Sequence, residues 1–410
     1  MSSCPAPPSF LFSVGMPRRQ STAFFRFFLI HRIFVGLALS SLSALAQTDE
    51  RLWVKATVNG QPIRLAFDTG SSRLLLFPKA AARLGLRLTN APPDVQLKPG
   101  EVPMARTEQC RVVIEDGDPV VTSIGVVDVP PVLERGCDGV LGWGELSPVV
   151  VEINARAGVV THLTNTPPDV ADWVKLRIRT NSSTLRLEIP GSPTSSISID
   201  TGSPQGVQLS PQKWREWRTA HAHQPATEHA DFVPASGLVV GEEVWAGEIS
   251  FGPLKITEVP VMESSKTDIG IGGADYQATL GLTALKRLDM ILDCKKGVAY
   301  LQPRRSPPLP YQHNRIGAVF TPHSMDGGEL VAHVAEGSPA ARAGIRNGDI
   351  LLTIDDLDVT KWHSDPAVLP LSRFWERAPG AKLLLTLKRG EESLKLNVVL
   401  EDILVPTSAK

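Results

Sequence analysis

Beyond residue 50 the chain is written in short apolar runs of strand length, broken every few residues by glycine, proline, asparagine or aspartate. Such runs predict β-strands rather than long helices. Leu52 to Val58 and Ile63 to Phe67 flank Asn59-Gly60, a dipeptide suited to a two-residue hairpin turn. The same pattern returns later, where Val174 to Arg179 and Leu185 to Ile189 precede the apolar run Ser196 to Ile199.

These two stretches begin an internal repeat. Phe67-Asp68-Thr69-Gly70-Ser71 ends the first set of strands and Ile199-Asp200-Thr201-Gly202-Ser203 ends the second, so both aspartates fall at strand ends. Leu76-Phe77-Pro78 then opens a short helical stretch in one copy, and Leu209-Ser210-Pro211 does so in the other. Val140-Leu141-Gly142 corresponds to Thr279-Leu280-Gly281. Gly142 to Gly158 and Gly281 to Gly297 span equal intervals, each holding an apolar strand, an Asn or Asp turn and a return strand. So many landmarks in one order imply a duplicated unit. Lobe one is placed at residues 47–165 and lobe two at 166–302, each mainly antiparallel β. A proline-rich linker, 303–314, separates them from a segment of different pattern, 315–405.

Composition narrows the function classes. The 410 residues include 33 glycines and 34 prolines, which suits a turn-rich β protein of several domains. A formal charge of −1 supplies no cationic excess for nucleic acid or an anionic membrane. Residues 1–46 differ from the rest: Arg18, Arg19, Arg26 and Arg32 precede the apolar run Ile33 to Leu45, which ends in Ala44-Leu45-Ala46. This is the pattern of a secretory signal peptide, too short for a membrane span, although the apolar residues from Phe24 to Ile30 leave an uncleaved anchor as the alternative. Export to the periplasm or the medium is the expectation. Cys110, Cys137 and Cys294 remain after the signal; Cys110 and Cys137 either pair or stay thiols.

The repeated Asp-Thr-Gly carries the candidate chemistry. Hydrolysing an amide without a metal or covalent intermediate requires one group to take a proton from water and another to give one to the carbonyl. Two adjacent carboxyls that share a proton divide those roles. Glycine lets the turn close tightly, and the Thr69 and Thr201 hydroxyls can brace it. No cofactor or metal is called for. Ser71 and Ser203 lack a Gly-x-Ser-x-Gly setting and a repeated histidine, so neither reads as a nucleophile. His221, His223 and His229 lie in a polar stretch without carboxylate support and read as solvated rather than as metal ligands.

These motifs resemble the active-site signatures of pepsin-like and retropepsin-like aspartic peptidases, over roughly residues 50 to 302. The resemblance implies two pseudo-twofold-related aspartic-protease-like β lobes, with Asp68 and Asp200 as the catalytic pair, supported by Thr69, Thr201, Gly70 and Gly202, acting on polypeptide substrates. Pepsin-like enzymes carry a flap tyrosine in the first lobe, whereas the tyrosines here stand at 276, 300 and 311. The candidate flap, about Val102 to Val121, offers Glu108, Cys110 and apolar residues instead. Short lobes suit a retropepsin-like duplication better.

In the last segment, apolar strands at Leu330 to Val334, Ile350 to Ile354, Leu383 to Leu387 and Leu394 to Leu400 surround Gly337-Ser338-Pro339-Ala340-Ala341-Arg342-Ala343-Gly344. Ser338 and Pro339 start a short helix and Gly344 ends it. The run resembles PDZ domains of bacterial exported proteases, which implies a small α+β domain. By that resemblance, Ile316, Gly317, Ala318 and Val319 form the loop that receives a peptide terminus or strand. Two functions are compatible with this organisation: an aspartic endopeptidase with a peptide-recruiting or regulatory PDZ module, or an inactive exported adaptor that keeps only the peptide groove.

Overall fold

The computed structural model describes residues 51–404, apart from 90–104, 116, 128–135, 147–148, 180–183, 192–194, 234–236, 265–275, 323–327, 363–364, 366–367 and 369. The signal-like segment lies outside the described residues. The rest is mostly β, in three sheets of seven, twelve and six strands.

The first hairpin forms as its turn chemistry requires. Strand Trp53–Val58 pairs antiparallel with Gln61–Asp68, with Val58 opposite Gln61. Asn59 and Gly60 between them take φ of 49° and 79°, the left-handed region this turn demands. Inward alternation buries Val54, Ala56, Val58, Ile63 and Leu65 in the core.

Each strand that carries an aspartate turn then gains a parallel neighbour from its own lobe. Leu65–Asp68 runs beside Gly139–Gly142, and Ser196–Ile199 beside Tyr276–Leu280. The lobes are therefore not purely antiparallel: the repeated apolar-Gly segments are the strands threaded beside the Asp-Thr-Gly turns. The glycines permit close backbone approach. A Cβ on Gly142 would stand 2.3 Å from the Arg73 nitrogen, and one on Gly281 would stand 2.4 Å from the Gln205 oxygen.

One hairpin crosses the boundary between the two sheets. The hairpin Val150–Asn154 and Val159–Leu163, assigned to lobe one by position, belongs to the twelve-stranded sheet of lobe two. It joins through antiparallel pairing of Val150–Asn154 with Leu288–Asp293, in which Glu152 faces Ile291. These two residues stand equally far beyond Gly142 and Gly281, so equivalent positions of the repeat face each other in this pairing.

The segment after Pro303 does not act as a free spacer. Arg287, only 5% exposed, donates to the carbonyl oxygens of Thr257 at 2.9 Å and Ser306 at 2.8 Å. Arg156 reaches the Ser306 hydroxyl at 3.0 Å. Further on, the Tyr311 hydroxyl donates to Glu243, and its ring lies 6.0 Å from that of Trp245. Extended backbone of proline composition is here fastened along lobe two. The third sheet, built from strands 318–322, 330–334, 350–354, 357–358, 382–389 and 392–399, encloses a separate core around Ile316, Leu351, Ile354, Leu385 and Val398.

Candidate active site

Asp68 and Asp200 meet. Asp68 ends its strand and Asp200 directly follows Ile199; both are buried, at 2% and 4% exposure. A Cβ placed on Gly70 would be 2.8 Å from Asp200 Oδ1 and 3.0 Å from Asp68 Oδ1, so one point in space touches both carboxylates. A Cβ on Gly202 would lie 2.5 Å from Asp68 Oδ1. Neither glycine has room for a side chain, because the space belongs to the opposing acid. The Gly70 N–H donates to Asp68 Oδ1 at 2.8 Å and the Gly202 N–H to Asp200 Oδ1 at 3.0 Å. Each carboxylate is thereby oriented by its own turn.

The threonines join the two turns. The Thr69 N–H donates to Thr201 Oγ1 at 3.0 Å, and the Thr201 N–H returns the bond to Thr69 Oγ1 at 3.0 Å. Their hydroxyls donate to the Ile199 and Phe67 carbonyls at 2.7 and 2.8 Å. Both residues are buried, and these four hydrogen bonds satisfy their polar groups across the seam.

One family model, described as aspartyl protease, matches residues 54–143, and another, described as PDZ domain, matches 330–389. The chain joins an aspartyl protease domain to a PDZ domain. No curated protein matches it. A solved EIAV protease complexed with the inhibitor HBY-793 is 21% identical, over 23% of this chain and 85% of that one, with a TM-score of 0.19. That likeness is too slight to add to the geometry.

Within the protease domain, Ser71 and Ser203 are placed away from nucleophilic roles. The Ser71 hydroxyl donates to the Arg73 carbonyl, and the buried Ser203 hydroxyl accepts from Gln208 at 2.9 Å. Part of the expected flap, residues 102–104 and 116, lies outside the described residues. The strands beyond it belong to the body of the lobe: Ala105–Ile114 pairs with Val120–Val126, Cys110 is completely buried, and the Glu115 N–H donates to the Lys55 carbonyl at 2.8 Å. Glu108 and Cys110 therefore stand on a sheet strand rather than on a flap tip. Cys110 and Cys137 are free thiols. Burial pushes the Cys137 thiol up, further from thiolate chemistry. His221 stacks on Trp217 with ring centroids 4.3 Å apart at the end of helix Pro211–Ala220.

The PDZ domain corrects the expected peptide loop. Ile316, Gly317, Ala318 and Val319 are all buried. The Ile316 and Gly317 N–H groups both donate to Asn314 Oδ1 at 3.1 Å. Gly317 has φ of 70°, and a Cβ there would collide with Ser338 Cβ at 2.3 Å. The helix predicted from Ser338 is present as Pro339–Arg342, its cap accepting from the Ala341 N–H at 3.2 Å. Both of the Asn314-bound N–H groups are thus taken by a carboxamide of the chain itself. Asn314 carries no sequence signal of that role, because an asparagine in a proline-rich stretch reads as a turn former.

Proposed function

We propose that this chain is an exported aspartic endopeptidase in which Asp68 and Asp200 activate a water molecule between them. The reading rests on one observation above the rest: both carboxylates flank a single point at the bottom of two facing turns, 2.8 and 3.0 Å from where a Gly70 side chain would begin. Two acids so close hold one negative charge more easily than two, so they share a proton. The charged member takes a proton from water as it attacks the scissile carbonyl. The protonated member donates its proton to the carbonyl oxygen, and the member that took the water's proton then passes it to the departing amine as the C–N bond breaks. Gly70 and Gly202 let each turn approach the opposing acid, while Thr69 and Thr201 hold both acids in register. The PDZ domain suggests peptide binding as a second property, with polypeptides as the partner class. The lobes run over 47–165 and 166–302, and the periplasm or medium is the proposed site of action.

The test is cleavage. The full chain is incubated with an unbiased peptide library from acidic to neutral pH, beside Asp68→Asn and Asp200→Asn. New termini are expected from the wild type alone. Identical product profiles from all three proteins would sink the enzyme reading and leave an adaptor.

A further inference from the structure

Asn314 stands where the two domains meet. Its Oδ1 takes the N–H groups of Ile316 and Gly317, and its Nδ2 donates to the Ala318 carbonyl at 2.8 Å within the PDZ domain. The same Nδ2 donates to the Glu228 carbonyl of lobe two at 2.9 Å. In return, the fully buried Thr227 hydroxyl donates to the Asn314 carbonyl at 2.7 Å. One residue thus ties strand Ala226–Val233 to the start of strand Ala318–Pro322.

Both strands are the last of their sheets, and edges normally stay accessible or carry charged guards. Here they pack against each other, and Ala318, Val319, Phe320 and Thr321 are all buried. Successive N–H groups around a residue of positive φ form a concavity that suits an anionic oxygen. At Ile316 and Gly317 the oxygen is that of a neutral carboxamide from the same chain. The lobe-two hairpin it grips has a counterpart in lobe one. Helix Pro78–Arg83 leads to the paired strands 88–89 and 105–114, just as helix Pro211–Ala220 leads to 226–233 and 237–251.

We infer that the PDZ domain is an internal clamp on the lobe-two hairpin, closed by Asn314 in the place of a peptide carboxylate. A peptide terminus that enters the Ile316–Gly317 nest must displace the carboxamide, and in doing so it releases strand 226–233. Peptide capture and hairpin restraint are then alternatives, and occupancy of one domain is felt in the other.

Hydrogen exchange measured by mass spectrometry on the full chain tests this, independently of any cleavage. Thr227→Val removes one of the lobe's two bonds to Asn314, keeping that to the Glu228 carbonyl, and leaves the nest itself intact. It is expected to speed exchange roughly tenfold both in 226–233 and in 316–320, the loss of about one hydrogen bond's worth of coupling. Asn314→Ala is expected to do the same from the other side. Unchanged protection at 383–387 and 394–398 separates release from unfolding of the PDZ domain. If Asn314→Ala unfolds that domain, Thr227→Val alone carries the test. Faster exchange confined to the mutated segment, or none in either segment, overturns the clamp.

Discussion

Thr69 and Thr201 hold each other reciprocally, the N–H of each donating to the hydroxyl oxygen of the other at 3.0 Å. Because each hydroxyl donates its own proton to a carbonyl of the facing lobe, both residues are donor and acceptor at once. The two aspartate turns are thereby fixed directly to each other. A pair of buried acids would otherwise push them apart.

Thr201→Val keeps the shape and deletes the hydroxyl. The Thr69 N–H and the Phe67 carbonyl are left buried without that partner, which costs about 1–3 kcal/mol per unsatisfied group. Thr201→Ser should retain most of the lost stability. Urea unfolding of both variants checks the ordering, and peptide cleavage should fall in the valine variant well beyond its change in folded fraction.

The acids themselves should work against the fold. Neighbouring carboxylates in a buried seam repel, so Asp68→Asn and Asp200→Asn are expected to match or exceed the wild type in denaturant midpoint near neutral pH. Cleavage is lost while stability is kept or gained. Should either variant be clearly less stable, the carboxylate has a structural role that like-charge proximity does not explain.

The turns, the repeat and the helix cap are legible in the sequence because each rests on local chemistry. Asn59-Gly60 demands positive φ at both residues, Ser338-Pro339 starts a helix, and two Asp-Thr-Gly turns with matched downstream glycines imply two lobes. The features that escape depend on partners distant in sequence. Nothing near Glu152 announces that it will pair with Ile291 in the other lobe, and nothing near Asn314 announces the carbonyl of Glu228. Position alone puts Glu108 and Cys110 in a flap, yet both stand on a sheet strand: Cys110 alternates inward and its thiol meets the Glu108 carbonyl at 3.2 Å.

Glycines separate tight approach from mere turn geometry. In Gly142→Ala the new methyl would meet the backbone of Arg73 and Ser72, and in Gly281→Ala that of Gln205 and Ser203. Backbone cannot swing aside as a side chain can, so each variant should lose more than about 3 kcal/mol or fail to fold. Gly158 has φ of 71°, but no atom lies within 4 Å of the place its methyl would occupy. Gly158→Ala should therefore cost only about 1–2 kcal/mol, the strain of the left-handed backbone. Thermal or urea unfolding of the three proteins side by side reads the difference, and equal losses would argue against the close approach.

Acid should loosen the joint between the domains, through His313. It is buried, its Nε2 accepts the Leu404 N–H at 3.3 Å, and Nδ1 faces the Tyr311 carbonyl at 3.2 Å, so it is held neutral. Burial, then the Arg315 charge, pushes its pKa down to about 4, against smaller opposing pulls from the Tyr311 carbonyl and then Asp402. Above pH 6.5 the neutral ring contributes fully; as pH falls toward 4 the unfolded chain takes up a proton that the folded chain refuses, and about 3 kcal/mol is lost at most. Glu228 opposes this, since burial and the nearby Glu242 carboxylate raise its pKa to about 6. From about pH 6 down to 4.5 the folded state binds that proton first, which stabilises it and offsets the histidine. The wild type should therefore show a shallow profile through this window, and Glu228→Gln a steeper loss on acidification. Chemical denaturation of the full chain at roughly pH 7, 5.5 and 4.5 measures both, and parallel profiles would show that the two groups do not oppose each other.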